Sequence, residues 1–143
     1  MTGSAGPAPV DPRPFRTMQQ SQAPWPRMTI AGSPANYWLL DYDTINNMQW
    51  VVSAKDTRIP LFPDPHACIV GTVSQVINEQ DGDTHIWVTM DGTSKGRFAC
   101  EITPQQKIAP PRVGQHIRVY GIFRYDLQHS WPEIHPLDHW EVV

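Results

Sequence analysis

The sequence predicts an all-β protein, a small five-stranded barrel with an N-terminal extension. Two observations carry this prediction. Five short runs rich in β-branched and aromatic residues, with turn signals between them, fill about the last 75 residues of the 143-residue chain. Gly71 and Gly121 each fall inside one of these runs, where a barrel strand has to bend round its core. The length suits one compact domain with a core of its own.

The barrel strands are expected in the region 65–143. The runs are ACIVGTVSQVIN (Ala67–Asn78), THIWVTM, GRFACEIT, VGQHIRVYGIFRYD and EIHPLDHWEVV. EQDGD and the Asp91–Gly92 pair mark the first two turns. Five short strands in this arrangement favour a small closed or partly open antiparallel barrel, and the oligonucleotide/oligosaccharide-binding (OB) fold is the leading candidate.

The residues before the barrel divide into two parts. Residues 1–27 hold six of the 15 prolines and no hydrophobic period, which predicts a disordered or extended tail. Residues 28–64 are expected to form an extension packed on the barrel. Within it, ANYWLLDYDTINNMQWVV (35–52) fits helix and strand equally, and the three prolines of RIPLFPDPHA (58–67) exclude a regular helix and indicate a connector.

Composition narrows the classes of function. The net charge is −3 and no run of lysine or arginine forms a basic stripe, which lowers the expectation of strong phosphate binding. No apolar run approaches the 18 or so residues of a membrane span, and no secretory signal is visible. We therefore expect a soluble, cytoplasmic protein with no membrane partner. Cys68 and Cys100 lie in apolar runs, which predicts buried free thiols.

Two polar runs, DGDTH and YDLQHSWPEIHP, carry the candidate chemistry. Alternation places Asp83, His85 and Trp87 on one face of a strand and leaves Ile86, Val88 and Met90 for the core. Histidine nitrogens and carboxylate oxygens together hold divalent ions such as zinc, manganese or calcium. The candidate metal ligands are Asp83, His85, Asp126, His129, Glu133 and His135.

Three interpretations of these polar residues stay open. They form a metal site, a metal-free ligand or catalytic site, or a hydrogen-bonded network that ties the loop before the last strand to the barrel. We expect Asp83 and His85 to lie within reach of Glu133 and His135 in the folded barrel, because two polar runs with matching residue types are unlikely to face the same way by accident.

Aromatic and basic side chains indicate a second kind of binding surface. Trp87, Trp131, Tyr120 and Tyr125 have flat faces that bases or sugars stack on, although core packing is the more common role of any one aromatic residue. By alternation Arg118, Tyr120 and Arg124 share one face and form a candidate binding stripe. The full set of candidate ligand-binding residues is Asp83, His85, Arg97, Arg118, Tyr120, Arg124 and Trp131.

The stretch DGDTHIWVTMDGTSKGRFACEITPQ resembles the front half of staphylococcal-nuclease-like domains, which are OB folds. The resemblance implies a calcium ligand at Asp83 and a phosphate contact at Arg97. The second calcium-binding aspartate of that family falls on Ile102, and its catalytic glutamate falls on Gln105. Because glutamine cannot take a proton from water, the resemblance implies the fold and not this hydrolytic activity.

DGDTH, followed by D-x-x-H and EIHP, also resembles a family of small uncharacterised bacterial OB-like proteins. This resemblance covers roughly residues 65–143 and implies that the two polar runs belong together. The expected function is binding, of a small ligand or of single-stranded nucleic acid, without catalysis. The alternatives are a metal-dependent, nuclease-like hydrolase and a structural module that binds a protein partner through the N-terminal extension.

Overall fold

The computed structural model describes residues 26–33, 35–47, 58–60, 65–93 and 96–143, with the backbone alone for 58–60. In chain order the elements are β1 (Arg27–Thr29), β2 (Asn36–Leu39), α1 (Tyr42–Asn46), β3 (Arg58–Pro60), β4 (His66–Asn78), β5 (Thr84–Met90), β6 (Arg97–Ile102), β7 (His116–Asp126) and β8 (Trp131–Val142). No helix within these residues has the length and apolarity that a membrane span requires.

Five of the strands close into a barrel. They follow one another in the order β4, β5, β6, β8, β7, and β7 pairs back onto β4. Every pair in the barrel is antiparallel except β6 and β8, which run parallel. This arrangement confirms the predicted all-β, five-stranded OB-like barrel with an N-terminal extension. β5 has the predicted bounds, and β8 begins at Trp131 instead of Glu133.

The core fills the inside of the barrel. Ile86, Val88 and Met90 are all buried on the inner face of β5, as alternation predicts. Phe98 and Phe123 stack across the core with ring centroids 5.9 Å apart. Cys68 and Cys100 are both buried free thiols. The other members of the core include Ala67, Ile69, Val73, Ile102, Ile117, Val119, Ile134 and Leu137.

The N-terminal extension adds strands to the outside of the barrel. β1 and β2 form an antiparallel pair, and β2 joins β4 in parallel with Trp38 opposite Ala67. Tyr37 packs there in a second buried cluster with Cys68 and Tyr120. The Tyr37 hydroxyl donates a hydrogen bond to Asp138 Oδ2 at 3.0 Å, which links β2 to β8.

The run that fitted helix and strand equally contains one of each. β2 is followed by α1, whose first turn is capped by Asp41, because its Oδ1 accepts a hydrogen bond from the Thr44 amide at 2.8 Å. Ile45 of α1 is buried in the core. Residues 48–52 of the same run lie outside the described residues.

The predicted connector over 58–67 is wrong in one respect, since it contains β3. This strand pairs antiparallel with β7, with Ile59 opposite Tyr125. It lies at an edge of the sheet, which is where strands accept proline. The predicted N-terminal tail lies outside the described residues except for Pro26 and Arg27, and Arg27 begins β1.

Gly71 generates a test of the barrel packing. A Cβ there would lie 2.6 Å from Val88 Cγ1 and would also meet the carbonyl oxygen of Thr89. We expect Gly71→Ala to lower the free energy of unfolding by about 1–3 kcal/mol, measured by urea denaturation, because the strands have to separate to admit the methyl group. Thr72→Ala, at the exposed next position, is the control. Equal stability of the two variants would contradict this close approach.

Candidate functional site

Three neighbouring barrel strands place polar side chains in one row. In the antiparallel pair β5–β6, His85 lies opposite Glu101. In the parallel pair β6–β8, Ala99 lies opposite Glu133. Two residues further along each strand, Glu101 and His135 therefore lie side by side. Side chains two residues apart share a face of a strand, so His85, Glu101 and His135 meet across the outer face of the barrel.

Glu101 lies at the centre of this row and is buried, with 2% of its side chain exposed. Its Oε1 lies 2.9 Å from His85 Nε2, and its Oε2 lies 2.8 Å from His135 Nε2. The other ring nitrogen of His85 lies 3.3 Å from Glu79 Oε2 at the surface. The two imidazoles therefore provide the polar surroundings that a buried carboxylate requires.

Asp83 brings a second carboxylate to Glu101. The turn before β5 positions it, because the Asp83 amide donates to Asp81 Oδ1 at 3.0 Å and Gly82 adopts a φ of 95°. A hydrogen bond with Glu101, followed by burial and the repulsion of the Glu101 charge, raises the pKa of Asp83 to about 6. In mildly acidic solution the protonated Asp83 carboxyl can therefore donate this hydrogen bond to Glu101.

Asp83, Glu101 and His135 lie close enough together that they could hold a metal ion. Each offers one ligand atom, and the three atoms lie within 4.8 Å of one another. Together with His85, which orients Glu101, these residues are called the Glu101 cluster below.

Asp126 and His129 form a separate pair at the turn between β7 and β8. Asp126 is buried, and its Oδ2 lies 2.7 Å from His129 Nδ1. The Asp126 Oδ1 also accepts the Gln128 amide at 2.9 Å, which fixes the turn. The His129 ring lies flat on Trp131, with centroids 4.5 Å apart and planes within 7°.

Glu133 has a different partner from the one that the sequence indicated. It is buried, and its Oε1 accepts a hydrogen bond from Trp131 Nε1 at 3.2 Å. Arg124 of β7 lies directly opposite it in the register. Glu133 shares the outer face with His135, and it contributes no atom to the group of three ligand atoms found among the described residues.

The structure therefore separates the six predicted metal ligands into a group of three and a pair, and Glu133 belongs to neither. Asp83, His85 and His135 come together around Glu101, whereas Asp126 and His129 pair with each other beside Trp131. Chain order had suggested one cluster because Asp126 to His135 are close in sequence. The β7–β8 turn instead places Asp126 opposite Trp131, four residues before His135 on the strand.

Sequence reasoning missed Glu101, the residue that joins the cluster. It lies between Cys100 and Ile102, in a run that was predicted to be a strand because of its apolar residues. Two signals were available. A glutamate there alternates with core residues and so faces outward, and a hairpin through the Asp91–Gly92 turn brings it level with His85.

The predicted binding stripe on β7 is buried at Tyr120, whereas Arg118 and Arg124 are half-buried. Tyr120 is buried, its ring packs edge-on against Tyr37 at 5.2 Å, and its hydroxyl bonds to Glu141. Arg118 Nη1 lies 3.3 Å from Glu141 Oε2. Because Tyr37 of the extension packs against it, the Tyr120 ring offers no face for a base.

Arg97 does not join Asp83 as the nuclease resemblance implied. Thr84 lies opposite Ile102, whereas Arg97 lies opposite Thr89, at the far end of the β5–β6 hairpin. The Arg97 guanidinium lies over the Trp87 ring, 4.3 Å from its centroid, and Nη2 donates to Gln75 Oε1 at 3.3 Å.

Comparisons with known proteins find no protein-family model that matches this chain and no similar curated protein.

The raised pKa of Asp83 generates a prediction about pH. An unfolded aspartate releases its proton near pH 3.9, whereas the pKa of Asp83 in the folded chain is about 6. The stability that this proton contributes is present below about pH 4 and is lost as the pH rises through about 6. We expect wild type to lose stability relative to Asp83→Asn between pH 4 and 7, in urea unfolding with a chelator present.

The control for this measurement is Asp43→Asn, which removes an exposed carboxylate on α1. The difference in free energy of unfolding between Asp43→Asn and wild type should change less over the same pH range. If the free energies of unfolding of wild type and Asp83→Asn differ by the same amount from pH 4 to 7, the raised pKa of Asp83 is contradicted.

Proposed function

We propose that this protein is a non-catalytic binding protein whose barrel holds one divalent metal ion at Asp83, Glu101 and His135. One observation carries the proposal: three side chains from three different elements converge with their ligand atoms within 4.8 Å. Above the pKa of Asp83, its carboxylate is repelled by the charge of Glu101. A cation between them would remove their repulsion.

The donor set favours zinc or manganese over calcium. Zinc binds imidazole and carboxylate at about 2.0–2.2 Å in tetrahedral sites, which places ligand atoms roughly 3.3 Å apart. Manganese also accepts carboxylate and imidazole ligands. Calcium takes six to eight oxygens, so two carboxylates and an imidazole would leave it poorly coordinated.

The surroundings of the three ligands support the same proposal. Glu101 is oriented by His85, and His85 in turn contacts Glu79. In metal sites, hydrogen-bond partners of the ligating side chains fix the orientation and the basicity of those side chains. Three protein atoms leave coordination positions for an exogenous ligand, as a binding function requires.

We further propose that the barrel is an OB fold in the strict sense. Its strands follow the sequential order first, second, third, fifth, fourth round the barrel, with the third and fifth parallel. Proteins of this fold bind ligands across the second and third strands and the adjoining loops. β5 and β6, which carry His85 and Glu101, are the second and third strands here.

The proposal predicts one bound ion per chain. Calorimetric titration of zinc and manganese into protein purified without an affinity tag should give a stoichiometry of one. Removing a ligand in Asp83→Asn or His135→Ala should weaken binding by more than the roughly 10- to 100-fold expected for the supporting His85→Ala. His116→Ala is the matched control, because His116 pairs with Asp91 on another part of the barrel.

Thermal melts distinguish this site from a structural network. If the ion binds, it should raise the melting temperature of wild type, EDTA should reverse that rise, and His135→Ala should show neither effect. If EDTA and added metal leave wild type unchanged while His135→Ala lowers its melting temperature by several degrees, the network accounts for the cluster and the metal proposal fails.

A metal-dependent hydrolase is the second candidate function, favoured by the coordination positions that a three-ligand site leaves open for water and substrate. Calcium-dependent cleavage by the nuclease-like route is not expected, because Gln105 replaces the base and is exposed in the turn after β6. Incubation of single-stranded DNA with the protein and calcium should leave the DNA intact. Cleavage that is lost in Asp83→Ala and retained in Gln105→Ala would show that another base acts.

A further inference from the structure

Beside the Glu101 cluster, four side chains form a continuous row of ring contacts on the outer face of the barrel. The Arg97 guanidinium lies 4.3 Å from the centroid of the Trp87 ring. Trp87 meets Trp131 edge to face, with centroids 4.9 Å apart and planes at 81°. Trp131 stacks on His129, with centroids 4.5 Å apart and planes at 7°. These four residues are called the aromatic ladder.

Hydrogen bonds to residues outside the ladder fix three of its members. His129 is held by the buried Asp126 at 2.7 Å, and Trp131 donates to the buried Glu133 at 3.2 Å. Arg97 donates to Gln75 at 3.3 Å. Asp126 and Glu133, two of the three buried charged residues in the described part of the chain, thus hold rings of the ladder in place. A surface whose rings are already oriented loses little conformational entropy when a ligand binds.

Both ends of the ladder face solvent with a flat polar surface. The His129 side chain is 43% exposed although one ring face lies on Trp131, and Arg97 is exposed at the other end. Imidazole rings and guanidinium planes are surfaces on which unpaired nucleobases stack.

We propose that the aromatic ladder binds the base of a phosphorylated nucleoside, either free or within a single strand. A flat base continues the parallel stack of His129 on Trp131 or stacks on the Arg97 guanidinium, and Arg97 also attracts the phosphate. Since the chain carries a net charge of −3, stacking and not a basic groove supplies most of the affinity. This site uses none of the three proposed metal ligands.

The test is fluorescence anisotropy of a labelled oligothymidine of about 12 nucleotides, a length that covers one OB barrel, with EDTA present throughout. Wild type should bind. His129→Ala should weaken binding by about 5- to 150-fold, which corresponds to one stacked base, whereas His129→Phe keeps a flat ring and should retain most of the affinity. A melt of each variant checks that it is folded.

Arg97→Lys separates stacking from charge, because lysine keeps the cation and lacks the plane. It should weaken binding, whereas Arg112→Lys, at an exposed arginine in the loop before β7, should not. The logarithm of the binding constant should fall with the logarithm of salt concentration with a slope near −0.7, the value for about one phosphate contact in a single strand.

Competition identifies the source of the base. If adenosine monophosphate displaces the oligonucleotide, a free nucleotide suffices, and if only unlabelled oligonucleotide does so, a strand is the ligand. The proposal is overturned if wild type does not bind, or if His129→Ala and Arg97→Lys bind like wild type. Binding that occurs only without EDTA would also overturn it, because the ligand would then depend on the metal site.

Discussion

The parallel register between β6 and β8 is the constraint on which the outer face of this barrel depends. It sets Cys100 beside Ile134 in the core and, on the other face, brings Glu101 level with His135. Parallel strands need a long connection, and here β7 lies between β6 and β8 in the sequence. The residues that meet at Glu101 therefore come from parts of the chain that local sequence patterns do not connect.

Buried acids organise this face. Glu101, Asp126 and Glu133 are the buried charged residues within the described part of the chain, and each has a ring nitrogen as a neighbour: His85 or His135, His129 and Trp131 respectively. Breaking a buried pair by removing one partner typically costs about 3–5 kcal/mol, because an uncompensated charge remains. The same buried groups can stabilise the fold and coordinate an ion. Stability and metal binding therefore have to be measured separately in each variant to distinguish a structural network from a metal site.

The N-terminal extension determines which part of the barrel surface remains accessible. β2 continues the sheet beside β4, and Tyr37 covers Tyr120. Aromatic residues on the β7 side thus become a second small core, while Trp87 and Trp131 stay on the surface formed by β5 and β8. The same chain holds both kinds of aromatic residue, and strand pairing alone decides between packing and exposure.

Much of the fold follows from the sequence. Period-two alternation and turn residues identified all five barrel strands and the core face of β5, because a strand with one buried side has to alternate. β3 was not predicted, because its proline indicates a connector unless the strand is known to lie at the edge of a sheet. Residue type and alternation also selected Asp83, His85 and His135 as candidates. The contact of Glu101 with His135, the separation of Asp126 and His129 from the Glu101 cluster and the covering of Tyr120 were decided by tertiary structure alone. Each of these depends on which strands are neighbours and in what register, and that follows from closing the whole barrel, not from any local run of residues.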